Sequence, residues 1–499
     1  MYMDRSSGIL MHISSLPSNY GIGTLGHEAY RFVDFLKRSK LKYWQVLPIN
    51  PTSYGDSPYA AFSAFAGNPY FIDLDILCGE KLIYENEYIN KDFGENRLRV
   101  DYGKQFNTKI DILKIAYNRD KAERNLFNNI DYINFKTSED SWLKDYALFM
   151  ATKYFFNLKS WQTWPEDIKR RDCGAIAYYT NKLEDSIEFF KYVQFKFFEQ
   201  WYRLKSYANR NGIKIIGDVP IYVAVDSADA WANSQLFELD ENKNLIEVAG
   251  CPPDNFSADG QLWGNPVYNW DNNAKEDFRW WISRIKLASS VYDVIRLDHF
   301  RGFDSYYAVP FGSSNARHGI WREGPKMHLF NALRSALGNL NVIAEDLGQL
   351  TPSVYKLLNE TTFPGMKILQ FAFGSGNSNE YLPHNFSSDN YVIYTGTHDN
   401  DTMLGYFTSV SGKEKDFAMR YINASKEEDK VFASIRCAYA SKAKLAIIPV
   451  QDFLELGNEA RMNLPSSLST LNWSFRIDKN ALTDNLSNKI KELVETNYR

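Results

Sequence analysis

Three acidic residues stand where short apolar runs break off, and acids placed in this way can cleave glycosidic bonds. Val291–Asp298 reads VYDVIRLD, Asn341–Asp346 reads NVIAED, and Tyr391–Asp399 reads YVIYTGTHD. Runs this short and this apolar read as parallel strands buried on both faces. In a (β/α)8 barrel the reacting groups sit where strands end. Two carboxyl groups flanking a sugar linkage supply an acid for the leaving oxygen and a carboxylate for the anomeric carbon. The candidates are Asp298, Glu345 and Asp399.

A single acid after a strand is commonly a helix cap or an ion-pair partner. Three acids at three strand ends favour catalysis. Arg296 lies two residues before Asp298, on the same face of its strand. A guanidinium there either keeps Asp298 ionised, as a nucleophile requires, or forms a structural ion pair. Glu345 and Asp346 are adjacent, so only one of them faces the barrel mouth. His398, beside Asp399, is either a satisfied core histidine or a neutral imidazole that donates to a sugar hydroxyl.

The elements that must hold these residues can be counted. Strand-like runs occur at Gly8–Ile13, Tyr43–Ile49, Ile213–Val219, Tyr292–Asp298, Asn341–Asp346, Met366–Ala372, Tyr391–Thr397 and Leu445–Val450. Helical patterns lie between many of them. Ala29, Phe32, Val33 and Leu36 share one helix face, and Phe195–Arg210 reads as a helix stopped by Gly212. The fold class is therefore α/β, a (β/α)8 TIM barrel. Residues 1–50 begin the barrel, 51–212 form a large, mostly helical insertion between strands 2 and 3, and 213–499 complete the barrel. Within the insertion, Asp111–Asn129 and Ser141–Lys159 read as helices. Residues 250–270, between strands 3 and 4, are rich in Gly, Pro, Asn and aromatics and read as an irregular lid loop.

Composition excludes other classes. A net charge of -4 over 499 residues gives no field for nucleic acid or an anionic membrane. No run approaches the ~18 apolar residues that span a bilayer, and residues 1–20 do not resemble a signal peptide. The four cysteines, Cys78, Cys173, Cys251 and Cys437, are scattered, so neither a zinc site nor a disulfide framework is indicated. A cytoplasmic, metal-free and cofactor-free enzyme is expected. GIGTLG at Gly21–Gly26 matches a dinucleotide fingerprint in letters only. Pro17–Tyr20 separates it from the preceding strand, and no carboxylate ends the next one. Asp240, Asn242 and Asn244 have the spacing of a calcium loop, but Leu245 stands where glycine is required.

Longer motifs carry a resemblance. They are GILMHISSLPSNYGIGTLG, SPYAAFSAFAGNPYFIDL, IIGDVPIYVAVDSADAWAN, DGQLWGNPVYNW, IRLDHFRGF, IAEDLG, FPGMKILQFAF, TGTHDNDT and NEARMNLP. In this order they resemble the 4-α-glucanotransferases of the amylomaltase (disproportionating enzyme) type, nearly end to end. The resemblance implies an α-amylase-like barrel without calcium. Its substrates would be α-1,4-glucans and maltooligosaccharides, with glucose or a glucan as acceptor. It gives Asp298 the part of nucleophile, Glu345 of general acid/base and Asp399 of transition-state stabiliser. Arg296, His299 and His398 match positions lining the donor sugar. Ser57, Tyr59, Asp218, Trp263 and Asn463 match substrate contacts, and Tyr54 and Tyr102 match a second, surface glucan site. Cys251, Asn255, Lys326 and the SSLSTLNWSF segment after Pro465 depart from the usual pattern. The rival readings are a hydrolase with the same acids and a non-catalytic glucan-binding protein.

Overall fold

A computed structural model describes residues 4–123, 125–253, 257–348, 350–424 and 429–499, so Asn255 lies outside the described residues. The strands in chain order are β1 (Ser6–Leu10), β2 (Tyr43–Gln45), β3 (Lys214–Val219), β4 (Glu247–Cys251), β5 (Gln261–Pro266) and β6 (Val294–Leu297). They continue with β7 (Ser305–Pro310), β8 (Ile320–Glu323), β9 (Val342–Ala344), β10 (Gly365–Ile368), β11 (Tyr391–Tyr394) and β12 (Leu445–Pro449). Eight form one parallel sheet in the order β10-β11-β12-β1-β2-β3-β6-β9. Between its end strands, Ala344 N donates to Pro364 O at 2.9 Å and Met366 N donates to the Asp346 carboxylate at 2.6 Å. These bonds bring the sheet round into a barrel.

Every expected strand is present, and each is shorter than its apolar run. The ladder stops early because the chain turns outward at the mouth, and the leftover residues become the loops that carry chemistry. Helix His27–Arg38 buries Ala29, Phe32, Val33 and Leu36 as the spacing requires. The GIGTLG glycines are steric: a Cβ at Gly23 would meet Ile13 O at 1.8 Å, and one at Gly26, the N-cap of that helix, would meet Asp73 Oδ2 at 2.0 Å. The insertion helices are Tyr102–Glu123 and Asp140–Phe155, displaced from the expected bounds by local chemistry. Asp101 caps the first by accepting from Lys104 N at 3.0 Å, and the second ends before Asn157 and Leu158, which have φ of 53° and 63°.

Helix Glu184–Arg210 is longer than expected and ties the insertion to the barrel. Gln194 exchanges two hydrogen bonds with the Gly67 peptide, at 2.7 and 3.0 Å. Gln200 does the same with Asp73, at 2.7 and 3.2 Å. Buried amides that satisfy both ends of a peptide hold an irregular segment without a ladder. Here they anchor the 51–74 segment beside the barrel mouth.

The 250–270 stretch differs from expectation. It carries the end of β4 and all of β5, part of a second, antiparallel sheet ordered β5-β4-β7-β8. Glycine, proline and asparagine hide the alternation that would have marked a strand. No helix of the described residues is long and apolar enough to cross a membrane.

The join between β9 and β10 gives a first prediction. Asp346→Ala leaves Met366 N buried without an acceptor, which costs about 1–3 kcal/mol. A lower midpoint in chemical denaturation is the expected outcome.

Candidate active site

The strand ends converge on one open cleft of about 1210 Å³, large enough for an oligosaccharide. Its lining includes Tyr54, Ser57, Tyr59, Trp263, Arg296, Asp298, His299, Glu345, His398, Asp399 and Asn463. Asp218 lies just beneath, 1 % exposed at the end of β3. Tyr102 is not among the lining residues. Its hydroxyl donates to Trp473 O at 3.0 Å, and its ring stands 6.5 Å from that of Tyr70.

Arg296, on β6, is the hub. Its Nη1 donates to Asp218 Oδ1 and Oδ2 at 2.7 and 2.6 Å and to Asp298 Oδ1 at 2.9 Å. Tyr59 Oη donates to Asp218 Oδ2 at 2.7 Å, which draws the 51–74 segment onto the same network. Arg296 and Asp298 share a strand face, as their two-residue spacing requires, and Asp298 N donates to Val219 O at 3.1 Å.

Glu345 is held by backbone. His299 N donates to its Oε2 at 2.7 Å and Leu347 N to its Oε1 at 2.9 Å. His299 reaches it because its backbone is left-handed, with φ 49°. Asp346 points the opposite way, to β10, so only Glu345 faces the mouth, in agreement with the strand alternation. On the third wall, Asn463 Nδ2 donates to Asp399 Oδ1 at 2.6 Å, and His398 Nε2 lies 3.3 Å from Asp399 Oδ2. Arg461 secures this wall by donating to Asp399 O at 2.5 Å and pairing with Asp401. The NEARMNLP motif contains Arg461, but its residue type alone carried no functional signal.

Aromatic rings line the remaining sides. Tyr59 and His398 stack at 5.1 Å, and Trp473 lies 5.7 and 5.9 Å from them. Trp263, on β5, meets the His299 ring edge-on at 4.8 Å. Trp473 and Tyr222 line the cleft and were not anticipated, because a buried aromatic in sequence looks like core.

Comparison with known proteins agrees with this geometry. The family model described as 4-alpha-glucanotransferase matches residues 11–482. The 4-alpha-glucanotransferase of Clostridium butyricum is 50% identical over 488 residues, covering 97% of this chain and 98% of that protein. The chain belongs to the 4-α-glucanotransferase family. The Thermus thermophilus 4-alpha-glucanotransferase is 42% identical, with both proteins covered in full at 100%. Among solved structures, the amylomaltase from Streptococcus agalactiae in complex with acarbose is 42% identical, with 99% of each chain covered and a TM-score of 0.95.

Electrostatics separates the acids of this glucanotransferase. Burial raises the Asp298 carboxyl, to about 7, with Arg296 only partly opposing the rise. Burial also raises Glu345, to about 8; the Arg296 charge and the two backbone donors only partly oppose the rise, and Asp298 adds to it. Arg296 donates to Asp298 and not to Glu345, so the proton shared by this pair rests on Glu345. Burial lowers His398 and brings His299 down to about 3, so both rings are neutral near pH 7.

Two outcomes follow from these charges. Arg296→Met strands Asp218 and Asp298 without their cation and should cost about 3–5 kcal/mol, read by urea denaturation. Glu345, raised from 4.5 to about 8, binds a proton in the fold that the unfolded chain has released between those values. Stability therefore falls as pH rises through that window. Calorimetry on Glu345→Gln should show a Tm above wild type by a margin that widens from about pH 5 to about pH 8.

Proposed function

We propose that this glucanotransferase moves a segment of an α-1,4-glucan to the 4-hydroxyl of an acceptor glucose or glucan by a retaining double displacement. The observation that carries the mechanism is the unequal support of the two acids. Asp298 receives a guanidinium bond at 2.9 Å, whereas Glu345 receives only backbone donors. One carboxyl is thereby kept as nucleophile and the other as acid.

Glu345 gives its proton to the glycosidic oxygen as Asp298 attacks the anomeric carbon. The bond to the leaving sugar breaks, and a glycosyl ester on Asp298 forms. Glu345, now a carboxylate, takes the proton of the acceptor 4-hydroxyl. That oxygen attacks the anomeric carbon, and Asp298 leaves. Two inversions restore the starting configuration.

Asp399, oriented by Asn463, would grip the sugar hydroxyls more strongly as the ring flattens, which lowers the barrier and not only the ground state. His299, His398, Ser57 and Tyr59 would complete the donor pocket, with Asp218 acting through Arg296 and Tyr59. Trp263 closes against His299 and would shield the ester from water. Tyr54, 82 % exposed at the rim, suits an outer glucan contact.

Maltotriose is the test substrate. Longer glucans plus glucose, at constant total reducing ends, are expected. Shorter sugars alone, with rising reducing ends, would make the enzyme a hydrolase. Glu345→Gln should lower kcat by about 10²–10⁴-fold while substrate binding stays measurable by calorimetry.

A further inference from the structure

We propose that Asp56 is a glucan-binding residue, its carboxylate accepting hydrogen bonds from sugar hydroxyls at the mouth of the cleft. The proposal rests on the reading of this cleft as an α-glucan site. Asp56 lies between Tyr54 and Ser57 and lines the same cleft as the three acids. It belongs to a turn in which its own N–H donates to Ser53 O at 3.2 Å.

Two features at this residue work against the fold. Its φ is 57°, a left-handed conformation that costs energy in a residue with a Cβ. Aspartate tolerates that region when its side chain bonds to nearby backbone. Here no hydrogen bond or ion pair reaches the carboxylate among the described residues. It is half-buried, and the charge that bears on it is Asp101, of the same sign. Burial and Asp101 together push it up to about 6. A partly desolvated carboxylate without a donor is unfavourable. Asparagine would keep the backbone bond of the turn and its left-handed conformation while shedding the charge, so the turn does not call for an acid here.

A donor from outside resolves the mismatch. A metal ion does not fit: Asp101 is engaged in capping Lys104 N, and no cluster of three metal-binding side chains exists among the described residues. Sugar hydroxyls are neutral donors that suit a carboxylate. An apolar counterpart is also at hand. Leu468 is 99 % exposed, and a Cβ added at the neighbouring Gly55 would lie 4.0 Å from its side chain. A glucan entering here meets a carboxylate for its hydroxyls and a leucine for its C–H face.

The test is transfer kinetics of Asp56→Ala and Asp56→Asn on maltotriose through maltoheptaose, with Tm measured in parallel. Asp56→Ala should raise KM about ten-fold or more, the loss expected of a hydrogen bond to a charged group. Its kcat should stay within about two-fold, and the Tm of Asp56→Asn, the variant that tolerates the left-handed backbone, should be unchanged or higher. Asp56→Asn, which keeps a carbonyl acceptor, should show an intermediate KM. A wild-type KM at every chain length in Asp56→Ala overturns the proposal. So does a fall in Tm with KM and kcat lost together, the mark of a structural role. A wild-type enzyme that makes no longer glucans from maltotriose overturns the functional reading itself.

Discussion

Arg296 is a cation with 5 % of its side chain exposed, and two carboxylates hold it in that position. A buried charge persists only where partners surround it with good geometry. Asp218, Asp298 and Tyr59 supply that geometry from β3, from the end of β6 and from the 51–74 segment that opens the insertion. The network therefore does two jobs. It fixes the relative position of three separate pieces of chain, and it gives Asp298 a direct guanidinium bond that Glu345 lacks. Remove the guanidinium and both the alignment and that difference in support are lost together.

The second constraint is a backbone one. His299 turns left-handed directly after Asp298, and this aims its N–H at Glu345. Phe300 N adds a bond to Glu345 O at 2.9 Å. The acid just past β9 is thus tethered to the residues just past β6, next to Asp298. Their spacing depends on main-chain atoms more than on side-chain rotamers, and main-chain atoms lose less order when a ligand leaves.

Much of this was legible in the sequence, and the reason is burial. Strands covered on both faces print as apolar runs, so all eight barrel strands and the three acids at their ends could be read. The second sheet left no such trace. Ile320–Glu323 is exposed along its whole length, and Gln261–Pro266 is interrupted by Gly264 and Asn265. Arg461 and the His299 amide escaped notice for another reason. A backbone donor has no residue type, and an arginine that braces a main-chain carbonyl looks like any surface charge. Asp56 was passed over because an acid in a Gly-containing turn looks like ordinary turn chemistry.

The barrel ring has a joint. No ladder pairs β9 with β10 among the described residues. One backbone bond, from Ala344 N to Pro364 O, and one carboxylate, that of Asp346, span the gap. Ladders of several bonds break as a unit, but a joint of this kind can breathe on its own. Glu345 stands between Ala344 and Asp346, the two residues that make the joint. Glu345 is therefore mounted next to a gap in the ladders of the ring, while Asp298 directly follows a strand paired on both sides. Opening of the joint would free Glu345 on its β10 side alone, because Glu345 N still donates to Leu297 O at 3.0 Å and Phe300 N to Glu345 O at 2.9 Å, so Glu345 and Asp298 would keep their register while the wall beyond them shifts.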